Sequence, residues 1–120
     1  MKRLTLMAIA LVAVGSMASA KPSVKQPAAA RQAARGLAFA QAHCSACHAV
    51  TEGETSPNPE SPPFEAIANM PGLTRASLGQ FLRDSHNYPS AMAFTVDRAR
   101  IADLTAYMLS LQRSNYHPPI

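Results

Sequence analysis

Residues 44–48 have the sequence Cys-Ser-Ala-Cys-His, and the rest of the chain is best interpreted outward from them. The spacing C-x-x-C-H is typical of covalent haem attachment, in which each thiol adds to one vinyl group and the adjacent imidazole binds the iron. Cys44 and Cys47 are the only cysteines, so no others compete for a disulfide framework or a four-ligand metal site. We predict that both attach one haem c and that His48 is an axial ligand of its iron.

The alternative for the same residues is a redox-active C-x-x-C pair followed by an unrelated histidine. Such pairs belong to thioredoxin-like domains, where the motif lies within a βαβ unit. No stretch of this sequence has a convincing strand pattern, so the haem-attachment interpretation is preferred.

Residues 1–20 have the features of a secretory signal peptide. Lys2 and Arg3 precede an uncharged run over residues 4–14, and residues 18–20 (Ala-Ser-Ala) form a small-residue cleavage site. Cleavage after residue 20 leaves 100 of the 120 residues, the size of one small domain. We therefore predict export to the periplasm, which agrees with the motif because bacteria attach haem covalently outside the cytoplasm.

An uncleaved membrane anchor is the alternative for this segment. Residues 4–20 number 17, the lower limit for a helix that spans a bilayer, and they end in small and polar residues. Under the preferred interpretation, the protein associates with a membrane only if the segment is retained.

The charges argue against a nucleic-acid partner. The chain has 11 basic and 7 acidic residues, and removal of Lys2 and Arg3 leaves 9 basic residues in the mature part. These are scattered rather than clustered with aromatic side chains, so no nucleic-acid surface is predicted. The mature region has no Trp, and a buried haem would supply the apolar bulk that so small a core lacks.

Two segments of opposite character flank the Cys-His motif. Residues 28–43 are alanine-rich and free of proline, which predicts a helix opened by Pro27 at its first position. Gly36 lies inside this helix at a cost of about 1 kcal/mol relative to alanine, and close approach of another helix is the usual reason. Residues 51–63 contain four prolines, so we predict an extended surface loop.

The second half of the chain contains further helical segments. Residues 65–69 are expected to form a short turn, and Thr74 to cap a helix whose third position is Ser77. A loop over residues 86–93 precedes a last helix, which starts near Thr95 or Val96 and ends near Gln112. Six residues form its apolar stripe: Val96, Ile101, Leu104, Tyr107, Met108 and Leu111.

These segments together predict an all-α fold, a small helical domain wrapped around one haem. Its organisation is a signal peptide over residues 1–20, a flexible leader over 21–30, the helical domain over 31–113 and a C-terminal tail over 114–120.

In the order of these features the chain resembles class I (cytochrome c-like) monohaem cytochromes. The most distinctive match is residues 101–111, which are similar to the family's last helix, I-x-D-L-x-A-Y-x-x-S-L. The family packs its first and last helices nearly at right angles. The resemblance therefore implies that Gly36 and Phe39 meet Leu104 and Tyr107.

The resemblance also implies the iron ligands. His48 is the proximal ligand, and its second ring nitrogen donates to a backbone carbonyl in the Pro62-Pro63 region. Pro63 is expected to pack against the haem and the proximal histidine. Met92, in the loop before the last helix, is expected to be the distal ligand, since His/Met ligation is the arrangement of electron-carrying cytochromes c.

Two other residues compete with Met92 for the distal position. His86 lies in the same loop and would give bis-histidine ligation, which lowers the potential. Met70 precedes Pro71 and so resembles the family's Met-Pro pair, but it comes before the middle helix and is better interpreted as a packing residue.

The function implied by the resemblance is periplasmic electron transfer without substrate catalysis. The haem iron would cycle between Fe(III) and Fe(II) and exchange electrons with redox partner proteins, either a respiratory complex or a periplasmic dehydrogenase. One alternative is a haem-based small-ligand binder or sensor with a labile sixth site, because Ala93 stands where many members have proline. Another is a haem subunit of a multi-protein oxidoreductase that docks through residues 51–60.

Overall fold

The computed structural model describes residues 26–84 and 95–118. These residues form four helices and no strand, which confirms the all-α fold class. The helices are α1 (Ala28–His43), α2 (Phe64–Ala68), α3 (Arg75–Asp84) and α4 (Arg98–Ser110). The predicted signal peptide and the loop with His86 and Met92 lie outside the described residues.

Helix α1 has the bounds that its alanine-rich composition predicts. Pro27 lies one position earlier than expected, immediately before the helix, and its carbonyl accepts a hydrogen bond from the Arg31 N–H at 3.1 Å. Since proline has a suitable φ and no N–H to satisfy, it suits a helix start in either position. The helix ends where the Cys-His motif begins, at Cys44.

Helix α4 packs mainly against α1, and less extensively against α3 and α2. At the crossing, a Cβ on Gly36 would lie 2.1 Å from the backbone oxygen of Asp103 and 2.7 Å from Tyr107 Cβ. The prediction that Gly36 allows a close helix approach is therefore confirmed. The contact expected with Tyr107 is present, and the nearest α4 atom belongs to Asp103.

An ion pair lies beside this crossing. The Arg35 guanidinium donates through Nε to Asp103 Oδ2 at 2.9 Å and through Nη2 to Oδ1 at 2.8 Å. Asp103 is only 6% exposed, so two parallel hydrogen bonds offset the cost of burying its charge. The Arg35 hydrogen bond is the main reason that the pKa of Asp103 lies below its usual value.

The start of α3 confirms the predicted cap. The Ser77 N–H donates to Thr74 Oγ1 at 3.1 Å, and the Thr74 N–H donates to Ser77 Oγ at 3.0 Å. Serine therefore supplies the reciprocal bond that Glu makes in a capping box. Leu78 and Leu82 are buried on this helix, whereas Phe81 is 52% exposed.

The predicted span of the last helix was too long at both ends. Asp97 is the N-cap, with extended backbone angles, and its Oδ1 accepts from the Arg100 N–H at 2.9 Å. Helix α4 therefore begins at Arg98 and ends at Ser110. The apolar stripe itself is confirmed, because all six of its residues are buried.

The core is formed by side chains from all four helices and the segments between them. Its larger buried members are Val50, Phe64, Ile67, Leu78, Leu82, Val96, Ile101, Leu104, Tyr107, Met108 and Leu111. Met108 is a core residue as predicted, but Met70, interpreted as a packing residue, is 56% exposed. Within the described part of the chain, no helix is long and apolar enough to cross a bilayer.

Candidate functional site

The Cys-His motif forms a turn that continues directly from α1. The Cys44 N–H donates to Ala40 O at 2.8 Å, and the Cys44 carbonyl accepts from the N–H groups of Cys47 at 3.1 Å and His48 at 2.9 Å. The two thiols and the imidazole therefore belong to one hydrogen-bonded turn. The C-terminal end of α1 sets their relative positions.

The two cysteines form no disulfide with each other, and both are partly buried. Burial, with a smaller contribution from the charge of Cys47, raises the pKa of Cys44 to about 11. This raised pKa is the opposite of the lowered pKa that the attacking cysteine of a thioredoxin-like pair has. Since the described residues also contain no βαβ unit, the structure does not support the redox-pair interpretation.

The imidazole of His48 is held by a residue at the far end of the loop that follows it. Its Nδ1 lies 2.7 Å from the carbonyl oxygen of Pro62, as the resemblance implied. A carbonyl can only accept, so Nδ1 carries the proton and the lone pair of the neutral ring is on Nε2. The ring also lies 5.4 Å from that of Phe64, at a tilt of 52°.

The loop between His48 and Pro62 is more ordered than its composition predicts. The Asn58 N–H donates to Cys47 O at 3.2 Å, and the Phe64 N–H donates to Ala49 O at 2.9 Å. Ser56, only 8% exposed, accepts through Oγ from the Ala49 N–H at 3.0 Å. The segment was expected to be an extended surface loop. Its outer residues are exposed, but these bonds fold it back onto the motif.

This donor set fits a haem attached through two thioether bonds. Two thiols three residues apart, followed by a histidine whose protonated nitrogen is already bonded to a carbonyl, can supply two covalent links and one nitrogen ligand. The family model of cytochrome c matches residues 33–112. The chain belongs to the cytochrome c family. Searches of curated proteins and of solved structures gave no match.

Cytochrome c domains bind haem c covalently and transfer electrons to and from protein partners, and this general function applies to the chain. Of the predicted site residues of this cytochrome c domain, the structure brings Cys44, Cys47 and His48 together. Pro63 is half-buried and follows the proline whose carbonyl holds His48. Met92 falls outside the described residues.

Tyr107 connects α4 of the cytochrome c domain to the segment after His48. Its hydroxyl donates to Val50 O at 2.6 Å in a buried position. Burial, and to a smaller extent the charge of Glu54, raises the pKa of this phenol. Tyr107 was predicted only as a core residue, and its polar contact could not be inferred from helical spacing.

Asn69, which the sequence analysis did not single out, joins α2 to the end of α4. Its Nδ2 donates to Glu65 O at 2.8 Å and to Leu111 O at 3.0 Å, while its Oδ1 accepts from the Arg113 N–H at 2.7 Å. The Leu111 carbonyl at the end of α4 therefore has a hydrogen-bond donor outside the helix. Asparagine after a helix was the only local signal, and it did not indicate a partner more than 40 residues away.

Proposed function

We propose that this cytochrome c is a periplasmic one-electron carrier with a single haem c bound through Cys44 and Cys47. His48 and Met92 are its axial ligands in this proposal. The hydrogen bond between His48 Nδ1 and Pro62 O is the observation that carries it, because it directs Nε2 to act as the metal ligand. When bound, the haem supplies an iron that cycles between Fe(III) and Fe(II).

The chain's own residues hold that centre in one geometry. Cys44 and Cys47 lie on the same turn, so two covalent links restrain the group from the end of α1. The Pro62 carbonyl restrains rotation of the His48 ring. A ligand that keeps its orientation in both oxidation states limits the rearrangement that accompanies electron transfer.

Apolar side chains pack against one side of the attachment point. Cys44 packs against the hydrophobic core cluster, which includes Phe64 and the fully buried Leu104 and Met108. Pro63 is proposed to pack against the proximal histidine on the side of the loop. An apolar surrounding of this kind is one of the means by which a protein sets a redox potential.

Met92 is proposed as the distal ligand because His/Met ligation suits an electron carrier and because the residue precedes α4 by a short distance. Redox partner proteins then dock transiently, and the candidates are a respiratory complex and a periplasmic dehydrogenase. The protein itself acts on no substrate in this proposal. Release from the membrane after export requires cleavage after residue 20, which the N-terminal sequence of the purified protein tests directly.

An absorption spectrum of the purified protein, oxidised and reduced, with and without carbon monoxide, tests the proposal. We expect a c-type spectrum, a weak far-red band from sulfur ligation and no change with carbon monoxide. Cys47→Ser should lower the yield of covalent haem, and an unchanged yield would contradict the attachment site.

The distal ligand is tested by Met92→Ala and its matched control His86→Ala. We expect the methionine variant alone to lose the far-red band, to respond to carbon monoxide and to have a lower potential. If His86→Ala opened the site instead, bis-histidine ligation would be correct. A carbon monoxide response of the unmodified protein would indicate a labile sixth site and favour a sensor.

A further inference from the structure

We propose that Arg113 is a positioning residue for the proximal histidine. It forms ion pairs at both ends of the loop that carries the Pro62 carbonyl, and so keeps this carbonyl against His48 Nδ1. We call Glu52, Glu65 and Arg113 the clasp. The inference rests on the proposed function, because it concerns how firmly the iron ligand is held.

The loop returns to its own starting point. It begins at His48 and ends at Pro62, and a hydrogen bond of 2.7 Å from His48 Nδ1 to the Pro62 carbonyl oxygen joins these two residues. Just outside this bond, the Gly53 N–H donates to Glu65 Oε2 at 2.9 Å. Glu65 is in the first turn of α2, two residues after the proline pair, so its carboxylate connects the outgoing segment of the loop to the returning one.

Arg113 adds a second connection between the same two segments of the loop. Its guanidinium pairs with Glu52 on the outgoing side and lies 3.9 Å from Glu65 Oε1 on the returning side. The side chain of Glu65 is only 16% exposed, so water screens this pair less than an ordinary surface pair. One cation therefore neutralises two carboxylates that would otherwise repel each other across the loop.

Arg113 is itself anchored at a defined place. Its backbone N–H donates to Asn69 Oδ1 at 2.7 Å, and the amide of Asn69 also bonds the carbonyls of Glu65 and Leu111. The end of α4 is therefore connected to α2, and α2 begins immediately after the proline pair. The position of the Pro62 carbonyl thus depends on a segment more than 60 residues after the histidine that it holds.

Packing alone does not hold this part of the loop. An open groove of about 470 Å³ lies beside it, lined by Pro63, Glu65 and Arg113 among other residues. Because this side of the loop faces the groove and not packed side chains, the returning segment has room to move if the clasp is opened. The ion pairs then add to the buried Phe64 side chain and to the Phe64–Ala49 backbone hydrogen bond in keeping the carbonyl in place.

This arrangement predicts a specific sign for the redox effect. The hydrogen bond from Nδ1–H to the carbonyl makes His48 a more basic ligand, which stabilises Fe(III) and lowers the midpoint potential. Opening the clasp should therefore raise the potential. Removal of a positive charge near the iron has the opposite effect, since it favours the more positively charged oxidised form. The two causes can be separated by sign.

The test compares Arg113→Gln with Arg98→Gln in the haem-loaded protein, because each variant removes one exposed arginine. We expect a higher midpoint potential for Arg113→Gln only, together with about three- to fivefold faster hydrogen exchange at the His48 ring Nδ1–H, as the loss of weak ion pairs implies. Arg113→Lys, which keeps the charge, should restore most of both values. An unchanged exchange rate, or a potential lowered as in the control, would overturn the inference.

A second pair of variants keeps the inference testable if Arg113→Gln does not fold. Glu52→Gln removes the exposed arm of the clasp, and Glu60→Gln removes a similar charge from the same loop outside the clasp. Faster ring N–H exchange in the first variant alone supports the clasp, and equal rates in both contradict it. Failure of the proposed function is distinct, because the unmodified protein would then lack the c-type spectrum.

Discussion

Replacing Gly36 by alanine should destabilise the domain, even though alanine is the better helix former. In α1 the substitution gains about 1 kcal/mol of helix propensity. The new Cβ, however, would lie 2.1 Å from the Asp103 oxygen, 2.7 Å from its carbonyl carbon and 2.7 Å from Tyr107 Cβ. Two of these three atoms belong to the α4 backbone and cannot rotate away, so the helices themselves must separate.

The size of the effect follows from that separation. Ordinary contact begins near 3.4 Å, so the Cβ and the Asp103 oxygen must move apart by about 1.3 Å at the crossing of α1 and α4. A gap of about 1 Å already forfeits about half of the dispersion energy of the atoms that face it. Overpacking typically costs about 1–3 kcal/mol, and a backbone clash belongs at the upper end. After the gain in propensity, we expect a net loss of about 2 kcal/mol, which corresponds to about 10 °C in Tm for a domain of this size.

Gly79→Ala is the matched control within the same protein. Gly79 lies inside α3 and is also buried, but a Cβ there would meet nothing closer than Ile101 Cγ2 at 3.9 Å. We expect this variant to be more stable by about 0.5–1 kcal/mol. Guanidinium unfolding followed by circular dichroism gives both free energies. If Gly36→Ala were as stabilising as Gly79→Ala, the close contact of α1 and α4 would be refuted.

Three further predictions concern buried polar groups. Tyr107→Phe should cost about 1–2 kcal/mol of unfolding free energy, because it leaves the buried Val50 carbonyl without its donor, and an unchanged midpoint in guanidinium would contradict this. The low pKa of Asp103, due mainly to Arg35, makes its contribution to stability complete above the unfolded pKa of about 3.9 and lost as the pH falls below that value. Asp103→Asn should therefore be less stable at neutral pH and flatten the decline in unfolding free energy below about pH 4 in urea titrations. The Thr105 hydroxyl is buried and has no hydrogen-bond partner among the described residues, so Thr105→Val should leave Tm unchanged or raise it, and a fall of several degrees would reveal a missed bond.

Local features of the sequence predicted the helices well where the boundary signal was also local. Both ends of α1 coincide with the prediction, since proline precedes it and the Cys-His motif follows it. For α4 the apolar stripe was a misleading guide to length. Val96 and Leu111 are buried in the core, yet both lie outside the hydrogen-bonded helix. Burial and helical hydrogen bonding are separate properties, and periodicity reports only the first.

The residues that carry the chemistry of the candidate site could be predicted, but the hydrogen bonds and ion pairs that hold them in place could not. The spacing of Cys44, Cys47 and His48 identified the attachment turn, and the family resemblance supplied the carbonyl near Pro62. The bonds of Asn69 and Arg113 could not be predicted, because their partners are distant in sequence and polar residues on a surface have many possible partners. The distal ligand Met92 stays a prediction.

The contact between α1 and α4 also determines when the domain can fold. Arg35 and Asp103, which meet beside the Gly36 crossing, are 68 positions apart. A ribosome releases the chain from its N-terminus, so α1 emerges long before its partner helix exists. The main interhelical contact must therefore wait until α4 has been made. Until then, the two cysteines at the end of α1 belong to an open segment, and their thiols are accessible before the core closes around them.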